Sequence, residues 1–388
     1  MDLYLMFHSV LMHVAAALVV LVYIPLSIPV KLFLWAFVKP LRKENLRGKA
    51  VLITGASSGI GEELAYQYAA QGACLALVAR RKKALEGVAA AARERGSPDV
   101  LVLPADVSDA DQSRRTVEET VAHFGKLNHL VANAGIWSSC SFDEVTNITA
   151  FTKMMDVNFW GSVYPTYYAL PHLKASRGKL VVSSSAAGTV ATSRMSFYNA
   201  TKAAQLRFYE TLRAELGSEV GVTVLTPGYV ESEITKGKGI QSSGNVAVNE
   251  EARDTNAARM EFARVQEQIG VFPVGRVAEL GEVALDGIRA GDWYVTWPSL
   301  FRPLQLIGCL APEVMHWVCR AMYSTRKGGQ PLGKRVMEAT GVKRLFPEAL
   351  RRNPAIKTED DEEERDGKGN GAAKDAAAAN VLQCSEGS

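Results

Sequence analysis

"AVLITGASSGIG", Ala50 to Gly61, decides how the rest of this chain is read. An apolar run ends at Gly55, passes through two serines and enters "GEELAYQYAAQG", which has helical spacing. Glycines at a strand-to-helix turn allow tight geometry and let a ligand approach bare backbone. The following helix adds free N–H groups and the positive end of its dipole. The turn therefore reads as a pyrophosphate cradle built from Gly55, Ser57, Ser58, Gly59, Ile60 and Gly61.

The same pattern continues outward. "CLALVA", "VLVLPAD", "HLVANAG", "GKLVVSSS", "VTVLTPG" and "WYVTW" are short apolar runs, separated by amphipathic stretches such as "TKAAQLRFYETLRAELG". Continuous apolar strands alternating with helices indicate a parallel sheet covered on both faces. The expected fold class is α/β, a doubly wound, mostly parallel sheet of Rossmann type. Ligands of such sheets bind at the carboxyl ends of the strands.

The second strand ends in Val78-Ala79-Arg80-Arg81. A dinucleotide fold that takes NAD usually carries a carboxylate there for the ribose hydroxyls. Here two arginines stand where a 2′-phosphate would lie, and guanidinium suits phosphate because its donors can bind in a fork. Arg80 and Arg81 therefore favour NADP(H) over NAD(H). The competing reading of the two is the solvated basic start of a helix.

"SSSAAG", Ser183 to Gly188, ends the fifth strand, and Tyr198-Asn199-Ala200-Thr201-Lys202 opens the next helix. Tyr198 and Lys202 are four apart and share a helix face. A phenol near pKa 10 is a poor acid or base at neutral pH, and a neighbouring ammonium should lower it. Ser185 could hold a substrate oxygen beside Tyr198 while a cofactor handles hydride.

With these residues in place, the chain resembles the short-chain dehydrogenase/reductase family from about Leu46 to Trp297. The glycine turn matches the family's cofactor loop. Asp106, with Val107, matches the acidic residue near the adenine, and Asn133-Ala134-Gly135 matches the fourth-strand motif. Asn158, Ser185, Tyr198 and Lys202 match the catalytic set, Asn158 helping to relay a proton from the lysine. Pro227-Gly228 matches the motif over the nicotinamide, with Val230 and Ser232 as further cofactor contacts. Two departures stand out: Ala132 replaces a common first asparagine, and Ser232 a common threonine. Within the family the chain resembles the plant oil-body sterol dehydrogenases, over roughly its first 325 residues. That implies NADP(H)-linked interconversion of a hydroxyl and a ketone on a hydroxysteroid or similar lipid, Ser185 and Tyr198 contacting substrate, and a homodimer. A non-catalytic sterol-binding or coat protein that keeps the fold is the alternative.

Composition bounds the rest. The net charge is +3 over 388 residues, with no basic cluster interleaved with aromatics, which argues against nucleic-acid binding. The five cysteines form no CxxC pair, and the histidines lack metal-ligand spacing, so no metal site is expected. Cys140 and His129 read as packing residues. By composition the chain divides into an apolar anchor (1–38), a basic hinge (39–49), the α/β domain (50–298), an apolar extension (299–350) and a charged, disordered tail (351–388). The extension could cap the substrate cleft, form a dimer contact or lie in a membrane surface.

No charged residue interrupts Leu3 to Val30, whereas Lys31, Lys39, Arg42, Lys43, Arg47 and Lys49 follow it. That bias places the following domain on the cytosolic side, at an endoplasmic reticulum membrane or lipid droplet. The sequon Asn199-Ala200-Thr201 beside Tyr198 argues the same way, since a glycan there would obstruct the site. Pro25 and Pro29 cannot donate backbone hydrogen bonds. They predict a broken helix and a monotopic, proline-interrupted anchor.

Overall fold

Each of the seven apolar runs becomes a strand: β1 (Ala50–Thr54), β2 (Cys74–Ala79), β3 (Val100–Pro104), β4 (His129–Ala132), β5 (Lys179–Ser183), β6 (Gly221–Leu225) and β9 (Tyr294–Val295). They form one sheet in the order β3-β2-β1-β4-β5-β6-β9, with every pair parallel. A separate antiparallel ribbon joins β7 (Gly239–Ile240) and β8 (Val246–Ala247). The computed structural model describes residues 3–230, 239–240, 246–247 and 274–322, with four isolated positions beyond. The expected acidic tail and Ser232 lie outside the described residues.

Alternate residues of each strand serve opposite faces. Val51 and Ile53 join one core with Leu75 and Leu77, under α3 (Gly59–Ala70), α4 (Lys82–Glu94) and α9 (Val277–Ala290). Leu52, Val78 and Leu130 face the other core, under α5 (Ala110–Phe124), α7 (Gly161–Ser176) and α8 (Ser196–Leu216). Chain direction across the sheet reverses between β1 and β4, which opens a crevice at their carboxyl ends. The short α6 (Thr152–Met155) leads into a π turn at Asp156–Trp160 and then into α7.

The N-terminal segment departs from expectation. α1 (Leu3–Leu18), a π turn at Val19–Tyr23, α2 (Ile24–Phe33), a second π turn at Leu34–Val38 and a 3₁₀ turn at Lys39–Arg42 follow one another without a break. Pro25 follows directly on the π turn at Val19–Tyr23, inside this continuous helix. Pro29 lies inside α2, and flanking π turns are a known way for a helix to absorb such a defect. The prolines therefore do not break this helix, and no hairpin forms among the described residues. Tyr4–Val38 is apolar and long enough, by length and composition, to cross a membrane.

The basic segment after it is a clamp rather than a free hinge. Lys39 pairs with Asp292 at 2.5 Å and Lys43 with Asp286 at 2.9 Å. The Glu44 backbone N–H donates to Arg289 O at 3.1 Å, and Arg289 Nε donates back to Glu44 O at 2.9 Å. The Glu44 carboxylate meets Lys179 at 2.9 Å and Lys49 at 3.3 Å, and lies 3.3 Å from the buried His129 ring. Burial alone would raise the Glu44 carboxyl. His129 and Lys179 outweigh it and hold the group well below the carboxylate range. Burial pulls the His129 pKa down against the pull of Glu44, and its Nδ1 meets the buried Tyr68 hydroxyl at 3.0 Å. Leu46 is buried, so the core starts before β1.

Glu44 is more acidic folded than unfolded, so its contribution to stability is present above its ordinary pKa of 4.5 and fades as pH falls below that. Glu44→Gln should cost about 2–3 kcal/mol at neutral pH, less than loss of a fully buried pair because the side chain keeps 23% exposure. Thermal unfolding across pH should show the gap between variant and wild type narrowing below about pH 4.

Candidate active site

The crevice is held open by one residue at the end of β1. Thr54 Oγ1 accepts from the backbone N–H of Asn133 at 3.0 Å and of Ala134 at 3.2 Å. Asn133 Nδ2 donates to Thr54 O at 3.1 Å. Ala132 is buried in β4 and takes no part, so Asn133 alone supplies the side-chain tie. Above it, Gly55 has φ +66°, a conformation that favours glycine. A Cβ on Gly61 would lie 2.4 Å from Gly55 O, so the turn closes only over a bare α-carbon.

Arg81 folds over this turn, donating to Ser57 Oγ at 3.1 Å and Ser58 Oγ at 2.9 Å. Arg80 instead faces the Asp106 carboxylate at 3.9 Å. Asp106 is fixed by the backbone N–H and hydroxyl of Ser108, at 3.0 and 2.7 Å. The two arginines that looked equivalent in sequence thus divide: one covers the serines of the turn, the other pairs beside the adjacent strand end.

Ser185 caps a 3₁₀ turn at Ala186–Gly188, and its hydroxyl donates to Pro227 O at 3.3 Å. Tyr198 and Lys202 come from the first turns of α8, with Lys202 Nζ 5.8 Å from the centre of the Tyr198 ring. Lys202 is buried and donates to Ser183 O at 2.8 Å and Gln205 Oε1 at 3.2 Å. Burial pushes the Tyr198 hydroxyl up to about 12, with Ser185 pulling it partly back, and pushes Lys202 down to about 7. The expected lowering of the phenol is therefore not present in this state. Desolvation dominates, and the ammonium spends two hydrogen bonds on other acceptors.

Asn158 sits fully buried in the π turn before α7. Its Oδ1 accepts from Ile136 N at 2.8 Å, and its Nδ2 donates to Ile136 O and Thr201 Oγ1, each at 2.9 Å. The side chain is committed to fixing the segment that follows Gly135, and its main-chain carbonyl accepts from Gln205 Nε2 at 3.0 Å.

One cavity of about 390 Å³ joins these parts. Gly55, Ser57, Ser58, Gly59, Ile60, Arg80, Arg81, Asp106, Val107, Asn133, Ala134 and Gly135 line its first half; Ser185, Tyr198, Lys202, Pro227, Gly228 and Val230 line the second. Gly61 packs beneath the turn and Asn158 behind the lysine, so neither is on the wall. The far end is apolar, formed by Trp137, Met195, Ile240 and two helices, α10 (Phe301–Leu310) and α11 (Pro312–Met322). Phe301, Leu304, Met315, Val318 and Cys319 turn inward from those helices. The described part of the extension thus walls the apolar end of the cavity. Gly228 makes this possible, because a Cβ there would lie 2.1 Å from the Phe301 ring. Only the spacing of Phe301 with Leu304, and of Met315 with Val318 and Cys319, carried this wall in the sequence. Cys140 is buried against Phe151, Met154 and Ile240, as a packing residue.

The sequence profile described as "short chain dehydrogenase" matches residues 49–242. This chain is a short-chain dehydrogenase/reductase. The dehydrogenase is 47% identical over 331 residues to the 11-beta-hydroxysteroid dehydrogenase 1A of Arabidopsis thaliana, covering 84% of this chain and 91% of the relative. It is 46% identical over 330 residues to 11-beta-hydroxysteroid dehydrogenase A of Arachis hypogaea, with the same coverage. Among solved structures, a short-chain dehydrogenase/reductase from Burkholderia phymatum in complex with NAD superposes with a TM-score of 0.60, at 23% identity, over 73% of this chain and 99% of its own. One from Burkholderia cenocepacia in complex with NADP gives 0.56, at 22% identity, over 71% and 99%. The dehydrogenase thus has the fold that binds a nicotinamide cofactor and belongs to a family of oxidoreductases. The glycine turn of this chain fits such a group: Gly55 and Gly59 line the cavity, Gly61 lets the turn close beneath them, and Arg81 stands at the rim.

Gly61→Ala tests that fit. The added methyl must push the turn away from β4, and overpacking of this kind costs about 1–3 kcal/mol. Fluorescence titration with NADPH should show affinity falling by about tenfold or more.

Proposed function

We propose that this dehydrogenase is an NADP(H)-dependent enzyme interconverting a hydroxyl and a ketone on a sterol, hydroxysteroid or similar lipid. The observation that carries the reading is the single cavity in which Ser185, Tyr198 and Lys202 meet an apolar end. Its volume is within the range for small-molecule sites. Its apolar walls suit a lipid skeleton, with the hydroxyl-bearing end turned toward Tyr198. Names of the plant relatives point to the same substrate class.

In this reading the nicotinamide ring, when bound, accepts or supplies the hydride. The chain's own groups handle the proton and the geometry. Ser185 Oγ holds the substrate oxygen. Tyr198 Oη takes the hydroxyl proton in oxidation and returns it in reduction. Lys202 brings positive charge toward the phenolate, which its burial makes costly to ionise. Arg81 supplies the guanidinium for a 2′-phosphate, backed by its hydrogen bonds to Ser57 and Ser58. Arg80, already facing Asp106, contributes less.

The N-terminal helix is read as the anchor of a domain facing the cytosol, at endoplasmic reticulum or a lipid droplet. At 1.5 Å per residue its apolar stretch is about 50 Å long, well beyond a bilayer core of about 30 Å. A straight span would therefore tilt or leave part of the helix at the surface. The basic clamp after it fits the positive side. A homodimer belongs to the same reading, with the exposed Trp160 and Tyr167 offering an aromatic face.

The assay is oxidation of estradiol or corticosterone by the full chain in mild detergent. Tyr198→Phe should lower kcat by about 10²- to 10⁴-fold, and equal activity would refute the mechanism. Arg81→Ala should cut the preference for NADP⁺ over NAD⁺ by about tenfold to a hundredfold, the worth of charge-assisted hydrogen bonds. A tag at Met1 should be cleaved by external protease in cytosol-side-out microsomes if the anchor is monotopic, and protected if it spans.

A further inference from the structure

Gln205 lies one turn beyond Lys202 on α8 and is fully buried. Its Oε1 accepts from Lys202 Nζ at 3.2 Å, and its Nε2 donates to the Asn158 main-chain oxygen at 3.0 Å. This orientation of the amide is fixed by its partners, since an ammonium can only donate and a carbonyl only accept. A buried amide is costly unless paired, and a methionine would fill the same space without that cost. The polar atoms at this position therefore call for a reason in the network they join.

The reason lies in the geometry of the ammonium. Lys202 Nζ has three donors. One goes to Ser183 O and one to Gln205 Oε1, and the lysine also lines the cavity where Tyr198 stands. Gln205 thereby sets the direction of the remaining donor. Through Asn158 O it also ties the catalytic helix to the π turn, whose side chain fixes Ile136.

We propose that Gln205 is a positioning residue of this enzyme, holding the Lys202 ammonium toward Tyr198 by bridging Nζ to the Asn158 carbonyl. The proposal rests on the reading of Tyr198 as acid and base. An amide does not ionise, so Gln205 holds charge in place without carrying it. Lys202, pushed down to about 7 by burial, is balanced between its two forms near neutrality. Removing an acceptor shifts that balance toward the neutral amine, and Tyr198 then ionises only at higher pH. Among the described residues, other charged or titratable groups around the pair are few. Arg80, Arg81 and Asp106 stand at the cofactor end of the cavity, Tyr229 and Cys319 at the other. Asp156, on the π turn, is exposed.

The test uses the full chain in detergent, with Gln205→Met, Lys202→Met and the double variant. In alcohol oxidation, Gln205→Met should move the rising limb of kcat up by about one pH unit and lower kcat near pH 7 by about tenfold, the worth of one hydrogen bond to a charged group. KM values should change by less than about twofold. The second readout needs neither substrate nor cofactor. Thermal unfolding of the double-mutant cycle should show coupling between Gln205 and Lys202 that is larger at about pH 6, where the amine is charged, than at about pH 9. An unmoved limb, or coupling indifferent to pH, overturns the proposal. If Gln205→Met does not fold, Gln205→Glu serves instead: a carboxylate beside Nζ should move the Lys202-dependent step in stability to higher pH, and an unmoved step overturns the proposal equally. A wild-type protein that oxidises no lipid alcohol sinks the functional reading, while the cycle still judges what Gln205 does to Lys202.

Discussion

The hydrogen bonds between Thr54 and Asn133 hold the two strand ends where the sheet reverses direction. Everything that acts as a site follows from that junction. β1 runs on into the glycine turn and β4 into Gly135 and Ile136, so the two segments diverge from a fixed point. Asn158 locks the second branch through Ile136, and bare α-carbons at Gly55 and Gly61 let the first close over it. Loss of one hydroxyl at Thr54 would remove the acceptor of two part-buried N–H groups at once, which is why so small a group holds so much geometry.

The site has been built against the grain of solvation. Lys202, Asn158 and Gln205 are all buried polar groups, and Tyr198 is harder to ionise than a free phenol. A polar network of this kind is stable only when its members are mutually satisfied. The amides of Asn158 and Gln205 achieve this with backbone groups, the Thr201 hydroxyl and the lysine itself, and of these only Lys202 is brought near neutral pH by its burial.

The sheet and most of the cofactor-side wall were legible in the sequence, because strand runs and glycine turns are local signals. "AVLITG" and "HLVANAG" each declare a strand and its exit without help from distant residues. The apolar end of the cavity was not legible. Its walls come from Phe301, Leu304, Met315 and Val318, more than a hundred residues from Ser185. Their inward turn depends on Gly228 making room for Phe301, a contact between distant parts of the chain. Gln205 was invisible for a similar reason: a glutamine inside an amphipathic helix looks solvated until its neighbours are known. The prolines misled because the rule that they break helices ignores how π turns redistribute the strain over neighbouring residues. The sign of the Tyr198 shift was missed because motif spacing reveals a nearby charge but not the depth at which both groups are buried.

The clamp around Glu44 has a mechanical consequence. Lys39, Lys43 and Glu44 fasten the end of the N-terminal helix to Asp292, Asp286 and Arg289, and only five residues separate Glu44 from the first residue of β1. The opposite end of that strand is the glycine turn. β1 is thus a short, stiff rod with the clamped apolar helix at one end and the glycine turn at the other, about 17 Å away. On the proposed anchoring, force on the apolar helix would reach the domain first at the clamp, where it would be shared among the ion pairs before it could draw on the rod.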